Sequence, residues 1–189
     1  MYNRLMENIK LEIATLAGGC FWCTEAIFKR LKGVKSVLPG YTGGEIKNPS
    51  YDQVCSGSTG HAEAIQIEFD PNIISFDKIL DIFWHTHNPT TLNQQGNDIG
   101  TQYRSAIFYH NEKQKEIAEK SKKELSSSKI YENSIVTEIV PFKKFYIAED
   151  YHKNYFDRNK NAPYCNFVID PKIQKLLKNY SQDIKEEYM

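Results

Sequence analysis

The chain reads LEIATLAGGCFWC from Leu11 to Cys23, and this stretch decides the fold. Its first seven residues form a short β-like run, and the two glycines that follow end the predicted strand. Apolar side chains at helical spacing come next and predict a helix over residues 21–31. Cys20 therefore lies at the junction where the first strand gives way to the first helix.

The rest of the chain continues to alternate between strand-like and helix-like patterns. Further strands are predicted over residues 34–38, 62–69, 104–109 and 137–140, and further helices over residues 75–85 and 112–125. Glycine, proline and polar residues predict loops over residues 40–50 and 88–100. The alternation favours an α+β fold, a two-layer sandwich in which helices pack on a mixed, mostly antiparallel sheet. We expect a long, loop-rich C-terminal segment after the last predicted strand.

Charge and length exclude some classes of protein. The sequence has 24 Lys and Arg against 24 Asp and Glu, so its formal net charge is zero. Proteins that bind nucleic acid or anionic membranes need a basic excess, so neither class is expected. A length of 189 residues favours one domain over residues 1–189.

The sequence shows no pattern typical of export or membrane insertion. Residues 1–10 are polar where a secretory signal needs an apolar run, and no run approaches the roughly 18 apolar residues of a spanning helix. We therefore expect a cytoplasmic protein. In that compartment the four cysteines indicate reactive or metal-binding thiols sooner than structural disulfides.

Cys20 is the first candidate for chemistry. Free N–H groups and the helix dipole favour an anion at a helix N-terminus, so we expect its thiol to ionise more easily than a free thiol. A thiolate in that position is a candidate nucleophile. The alternative is a buried cysteine that packs as a small hydrophobic residue.

Cys20 and Cys23 also form a C-x-x-C pair, which is typical of disulfide oxidoreductases and of zinc half-sites. The sequence has no second C-x-x-C, and Cys55 and Cys165 stand alone. A zinc site is therefore disfavoured, and we expect no metal. A disulfide oxidoreductase that uses Cys20 and Cys23 remains an alternative.

Three further clusters hold polar or titratable residues. Glu63 enters a predicted strand among apolar neighbours, where burial would raise its pKa and make it a proton donor, unless it faces water at a sheet edge. Asp98 and Tyr103 lie in a polar loop that either lines a site or satisfies its own backbone. Cys165 follows Pro163 and could reach a reactive partner from a mobile segment.

Taken together, these clusters resemble peptide methionine sulfoxide reductase of the A type, MsrA. The matching motifs are GCFW at 19–22, GYTGG at 40–44, GHAE at 60–63, QGND at 95–98, GTQYRS at 100–105 and PYC at 163–165. They occur in the family's order and spacing over about residues 11–177. Any one of these motifs would be weak evidence, and the combination is specific.

The resemblance implies a ferredoxin-like core within a single catalytic domain. It implies reduction of methionine S-sulfoxide, free or within oxidised proteins, which is the repair step for oxidised methionine. It also implies a monomer without a bound cofactor, with thioredoxin as the reductant, or dithiothreitol in vitro.

The resemblance also assigns roles to individual residues. Cys20 matches the nucleophile, which becomes a sulfenic acid, and Glu63 matches the acid that protonates the sulfoxide oxygen. The residues that match the substrate site are Phe21, Trp22, Tyr51, Asp98 and Tyr103.

A second thiol must condense with the sulfenic acid to form a disulfide. Cys165 matches the family's resolving cysteine, whereas Cys23 stands where many members carry glycine and is a second candidate. We favour Cys165 because a flexible tail can approach a pocket from its open side. Cys55 is the least favoured participant. A module that binds oxidised peptides without turnover is a further alternative to an enzyme.

Overall fold

Strands dominate the centre of the computed structural model, which describes residues 10–189. The strands are β1 (Glu12–Gly18), β2 (Val34–Thr42), β3 (Ala62–Phe69), β4 (Gln94–Gln95), β5 (Asp98–Ile99), β6 (Ser105–Tyr109), β7 (Glu138–Pro141) and β8 (Phe145–Ile147). The helices are α1 (Phe21–Phe28), α2 (Tyr51–Cys55), α3 (Phe76–Thr86), α4 (Glu112–Ser128), α5 (Tyr155–Arg158) and α6 (Asp170–Tyr180). The prediction about a secretory signal concerns residues 1–10, of which residues 1–9 lie outside the described residues.

Six strands form one mixed sheet in the order β7-β6-β1-β3-β2-β8. All neighbours pair antiparallel except β6 and β7, which are parallel. The predicted mixed, mostly antiparallel sheet is therefore confirmed. Strands β4 and β5 form a separate two-stranded hairpin within residues 88–100, where the sequence predicted only a loop.

The two faces of the sheet differ in what they bury. Along β3, Glu63, Ile65 and Ile67 are buried at every second position, and both isoleucines belong to the large core that also contains α1 and α3 residues. The intervening residues Ala62 and Ala64 lie in a small second cluster. Side chains alternate between the faces of a strand, so Glu63 lies on the same face as the large core.

One local prediction was wrong and one helix was missed, and both concern the segment after residue 38. Strand β2 continues through Gly40, which the sequence assigned to a loop. Glycine is needed at this strand position because a side chain would collide with Tyr146 and Phe145 of the neighbouring β8. Helix α2 was missed as well. It begins with a capping box in which Ser50 and Gln53 each accept a hydrogen bond from the other's backbone N–H.

The C-terminal segment is less loop-rich than predicted. A π-helical turn (Cys165–Ile169) leads into α6, and Ile169, Ile173 and Leu176 lie buried in the large core. These three residues follow helical spacing, which is the signal the sequence analysis overlooked. Within residues 10–189, no helix is long and apolar enough to cross a membrane.

Candidate active site

The end of β1 positions Cys20. Gly19 has a φ of +86°, and a Cβ there would overlap the side chain of Gln95, so only glycine allows this turn. Helix α1 begins at the next residue, Phe21, which makes Cys20 its N-cap. The Cys20 side chain lies at the edge of the core and is 7% exposed.

Glu63 lies directly beside this helix start. Its Oε2 atom accepts a hydrogen bond of 3.0 Å from the backbone N–H of Phe21, and the residue is 1% exposed. Burial raises the pKa of its carboxyl to about 8, and the charges of Asp98 and Cys23 act in the same direction. A carboxyl with this pKa is mostly protonated at neutral pH and can serve as a proton donor.

The two thiols of α1 titrate as a pair. Burial raises the pKa of Cys20, and its hydrogen bond with Cys23 and the charge of Glu63 raise it further. The interaction with Cys20 lowers the pKa of Cys23 to about 7, and the positive charge of Lys172 lowers it as well. Burial acts in the opposite direction. The expectation that Cys20 ionises more easily than a free thiol is therefore wrong for this structure, because burial and the neighbouring groups outweigh the helix start.

Aromatic rings cluster around Phe21, the residue that follows Cys20. The ring of Phe21 lies 6.3 Å from that of Trp22 and 6.4 Å from that of Tyr51, measured between centroids. Phe21 is fully buried, whereas Trp22 and Tyr51 are half-buried. The structure thus brings the predicted members of the apolar pocket together around one end of α1.

Hydroxyl groups line the same region. Burial raises the pKa of Tyr103, and the charges of Glu63 and Cys20 add to the shift, so its phenol stays protonated and able to donate. Burial also raises the pKa of Tyr51. Asp98 is half-buried, and its Oδ2 atom accepts a hydrogen bond of 2.7 Å from the hydroxyl of Tyr164.

The other two cysteines lie in different surroundings. Cys165 has no exposed surface and lies in the π-helical turn, so the mobile tail we expected to carry it is wrong. Burial raises its pKa, and the charge of Cys23 adds to that shift. The hydroxyl of the preceding residue, Tyr164, lies 3.9 Å from the Cys23 sulfur. Cys55 is half-buried at the end of α2. Within residues 10–189, no three His, Cys, Asp or Glu side chains are arranged to hold a metal ion.

Comparison with known proteins identifies the family. A sequence profile described as peptide methionine sulfoxide reductase matches residues 12–185. The chain belongs to the peptide methionine sulfoxide reductase family. The resemblance seen in the sequence motifs is thereby confirmed.

Individual relatives agree with this assignment. The chain is 56% identical to the peptide methionine sulfoxide reductase MsrA of Sulfolobus acidocaldarius over 174 residues, which cover 90% of this chain and 96% of the relative. It is similar to the crystal structure of Mxr1 from Saccharomyces cerevisiae in reduced form, with a TM-score of 0.76, 37% identity and coverage of 84% of this chain and 91% of that chain. It is also similar to Mxr1 crystallised in complex with Trx2, with a TM-score of 0.54, 28% identity and coverage of 79% and 87%.

The structure of this MsrA-type chain also shows site residues that the sequence analysis missed. They all come from the segment after β8. His152, Tyr155 and Tyr164 contact the start of α1, and Glu149 contacts Tyr41 and Tyr51 beside it. Glu149 accepts hydrogen bonds from the Tyr41 hydroxyl at 2.8 Å and from the Tyr51 backbone N–H at 2.9 Å. The run of aromatic and titratable residues at 149–155 was the available signal.

Proposed function

We propose that this chain reduces methionine S-sulfoxide, free or within oxidised proteins, to methionine. The observation that carries the proposal is the contact between Glu63 and the N–H of Phe21, the residue after Cys20, because it supports the pairing of a protonated acid with a nucleophilic thiol. A sulfoxide needs this pair, since its sulfur is electrophilic and its oxygen must take up protons as the bond to sulfur breaks.

The first step transfers oxygen from the substrate to Cys20. The Cys20 sulfur attacks the sulfoxide sulfur while Glu63 donates its proton to the sulfoxide oxygen. This attack forms a bond between the two sulfurs. The S–O bond of the substrate breaks and the oxygen leaves as hydroxide, which then adds to the Cys20 sulfur as the bond between the sulfurs breaks. Cys20 is thereby oxidised to a sulfenic acid, and the substrate is released as methionine. Cys23, whose pKa is about 7, is the base placed to accept the thiol proton of Cys20.

Neighbouring side chains recognise the substrate in this proposal. Phe21 and Trp22 supply the apolar wall for the methyl group. The protonated phenols of Tyr51 and Tyr103 donate to the sulfoxide oxygen, and Asp98 orients the rest of the substrate. Exclusion of water from this pocket keeps the pKa of the acid high.

The sulfenic acid then condenses with a second thiol and releases water. We assign the first disulfide to Cys23, because its pKa of about 7 supplies the thiolate that attacks the sulfenic acid and it lies three residues from Cys20. Cys165 follows Tyr164, whose hydroxyl lies 3.9 Å from the Cys23 sulfur, and would accept the disulfide by exchange, which moves the oxidising equivalent toward the C-terminal segment. This order replaces the direct attack by Cys165 that we expected from a mobile tail.

Thioredoxin is the proposed reductant of the final disulfide. The yeast relative Mxr1 forms a complex with Trx2, which supports a thioredoxin as the partner of this chain. No bound cofactor enters the proposed cycle, because thiols carry every electron.

A count of free thiols tests the proposal. Reduced enzyme is mixed with methionine S-sulfoxide in the absence of reductant, and thiols and methionine are measured. We expect two thiols to be lost for each methionine formed, and no methionine from Cys20→Ser. Thiol loss without methionine, or methionine from Cys20→Ser, would contradict the mechanism.

The resolving steps need two further variants. We expect Cys165→Ser to form about one methionine per enzyme, since Cys20 needs only one oxidation event, but to turn over poorly with thioredoxin. Cys23→Ser should slow the first step, because it removes the proposed base, and the sulfenic acid that does form on Cys20 should accumulate. Full thioredoxin-driven turnover of Cys165→Ser would remove that thiol from the cycle.

A disulfide oxidoreductase is the second candidate, because Cys20 and Cys23 interact within one helical turn. Such an enzyme reduces insulin disulfides and has no need of Glu63. We expect Glu63→Ala to abolish sulfoxide reduction, whereas the alternative predicts that insulin reduction by the same variant persists at the rate of the natural chain.

We also infer a ferredoxin-like core. The elements β1, α1, β2, β3, α3 and β6 follow the β-α-β-β-α-β order, and the sheet order β6-β1-β3-β2 supports the inference. A single catalytic domain over residues 1–189, a monomeric state and a cytoplasmic location stay predictions. Light scattering and cell fractionation test the last two.

A further inference from the structure

Trp22 is held by residues that lie about 130 positions later in the chain. Its indole Nε1 donates a hydrogen bond of 3.0 Å to Nδ1 of His152. Its ring stacks on Tyr155, with centroids 3.7 Å apart and planes 7° from parallel. The half-buried indole is therefore fixed by its edge and by one face.

The hydrogen bond determines where His152 carries its proton. An indole N–H can only donate, so Nδ1 must be unprotonated and Nε2 must carry the hydrogen of a neutral ring. Nε2 is buried and has no hydrogen-bond partner among the described residues, and Oε2 of Glu149 lies 3.9 Å away. Unsatisfied buried donors are uncommon in proteins. The ring thus satisfies the indole of Trp22 and leaves its own second nitrogen without a partner.

The same imidazole also touches the rest of the pocket. Its centroid lies 4.9 Å from that of Phe21 and 4.4 Å from that of Tyr51, and His152 has no exposed surface. Burial lowers the pKa of His152 and so favours the neutral ring that the indole requires, although the charge of Glu149 opposes this shift.

We propose that His152 is a positioning residue that fixes the Trp22 indole in the wall of the substrate pocket and thereby sets the affinity for the methyl side of the sulfoxide. This proposal rests on the proposed sulfoxide reduction. His152 acts through Trp22, so its loss should weaken substrate binding more than it slows the chemical step.

The indole N–H resonances in NMR spectra of the reduced chain, recorded without substrate, report the contact directly. The described residues include a second tryptophan, Trp84, whose Nε1 donates to Ser121 Oγ at 2.6 Å, and Trp84→Phe assigns the two signals. We expect His152→Phe to shift the Trp22 signal and speed its exchange with solvent, while the Trp84 signal stays in place. The matched control Ser121→Ala should do the reverse.

Kinetics with dithiothreitol give the second readout. We expect His152→Phe to raise KM for methionine sulfoxide up to about tenfold, the loss expected for one hydrogen bond, with kcat within about twofold. The Oδ1 atom of Asn lies near the position of Nδ1, so His152→Asn should restore both the Trp22 signal and KM. Ser121→Ala should leave the kinetics unchanged.

Several results would overturn the proposal. An unchanged Trp22 signal in His152→Phe would do so, as would an unchanged KM, a loss confined to kcat, or an Asn variant no better than the Phe variant. If His152→Phe does not fold, His152→Gln replaces it, because its oxygen lies on the Nε2 side and cannot accept from the indole. If the natural chain forms no methionine, the proposed function fails, whereas the NMR spectra still decide whether His152 holds Trp22.

Discussion

The pKa of Glu63 connects the stability of the chain to the chemistry we propose. Its carboxyl has a pKa of about 8 in the folded chain, whereas the ordinary value is 4.5. At a pH between these two values, the carboxyl takes up a proton when the chain folds. The folded state binds more protons than the unfolded state there. The contribution of Glu63 to the free energy of unfolding is therefore largest below about pH 4.5, falls as the pH rises toward about 8, and is flat above that.

Glu63→Gln tests this sign, because an amide of similar shape does not titrate. We expect the free energy of unfolding of the natural chain, relative to that of Glu63→Gln, to fall from pH 5 to pH 8 in urea titrations. The thiol pair is present in both chains, so most of its own pH dependence cancels. A constant difference between the two chains would show that the carboxyl is already ionised at pH 5.

The sequence predicted Glu63 better than it predicted His152, and the reason is local periodicity. The alternation in AEAIQIEF puts Glu63 on the same strand face as two isoleucines, so the pattern supported a buried position, while an exposed position at a sheet edge stayed open until the sheet order was known. His152 lies in a short 3-10 turn without periodicity, and its partner Trp22 is 130 residues away. Contacts of that range depend on how the whole chain packs, which no local pattern records.

At the scale of elements, the five-residue helix α2 depends on its cap. Helices this short gain little from their own hydrogen bonds, so the reciprocal bonds of Ser50 and Gln53 are a large share of its stability. The first residue of α2 is Tyr51, which we propose as a substrate contact. Loss of the cap should therefore disturb both the helix and the site.

We expect Ser50→Ala to lower the free energy of unfolding by about 1 kcal/mol, the usual effect of losing an N-cap, and to raise KM for the sulfoxide. The matched control is Ser75→Ala. Ser75 caps α3 through a bond of 3.1 Å from the Lys78 N–H, but it starts a helix outside the site. The control should lose similar stability in urea titrations and keep its KM. Equal changes of KM in both variants would show that α2 does not position Tyr51.

Elements with strong periodicity were predicted well, and those that depend on distant partners were not. The predicted helix over 75–85 corresponds to α3, and its Ser75 cap was visible in the sequence. Strand β8 has three residues and pairs with the extension of β2 through Gly40. In the sequence, the glycine at position 40 indicated a loop. In the structure, β8 packs closely against Gly40, and the glycine is part of a strand.

At the scale of the whole molecule, the C-terminal segment wraps around α1. The Glu25 carboxylate accepts from the backbone N–H of Asn154 at 2.8 Å, and Lys29 forms an ion pair of 2.6 Å with Asp157. Farther along the chain, Ile184 has no exposed surface and pairs with Leu31. The helix that carries Cys20 and Trp22 is thus fixed by residues from the end of the chain.

This wrapping predicts that the last ten residues contribute to global stability, although their polar sequence is typical of a frayed terminus. We expect Ile184→Ala to lower the free energy of unfolding by about 2–5 kcal/mol, the usual range for an isoleucine removed from a core. Ile147→Ala is the control, since Ile147 is 66% exposed and such surface changes stay within about 0.5 kcal/mol. Urea titrations under reducing conditions measure both. If the two variants lose equal stability, residues 180–189 are a tail that α1 does not need, and the contacts of the C-terminal segment that hold Trp22 are then those of residues 149–165.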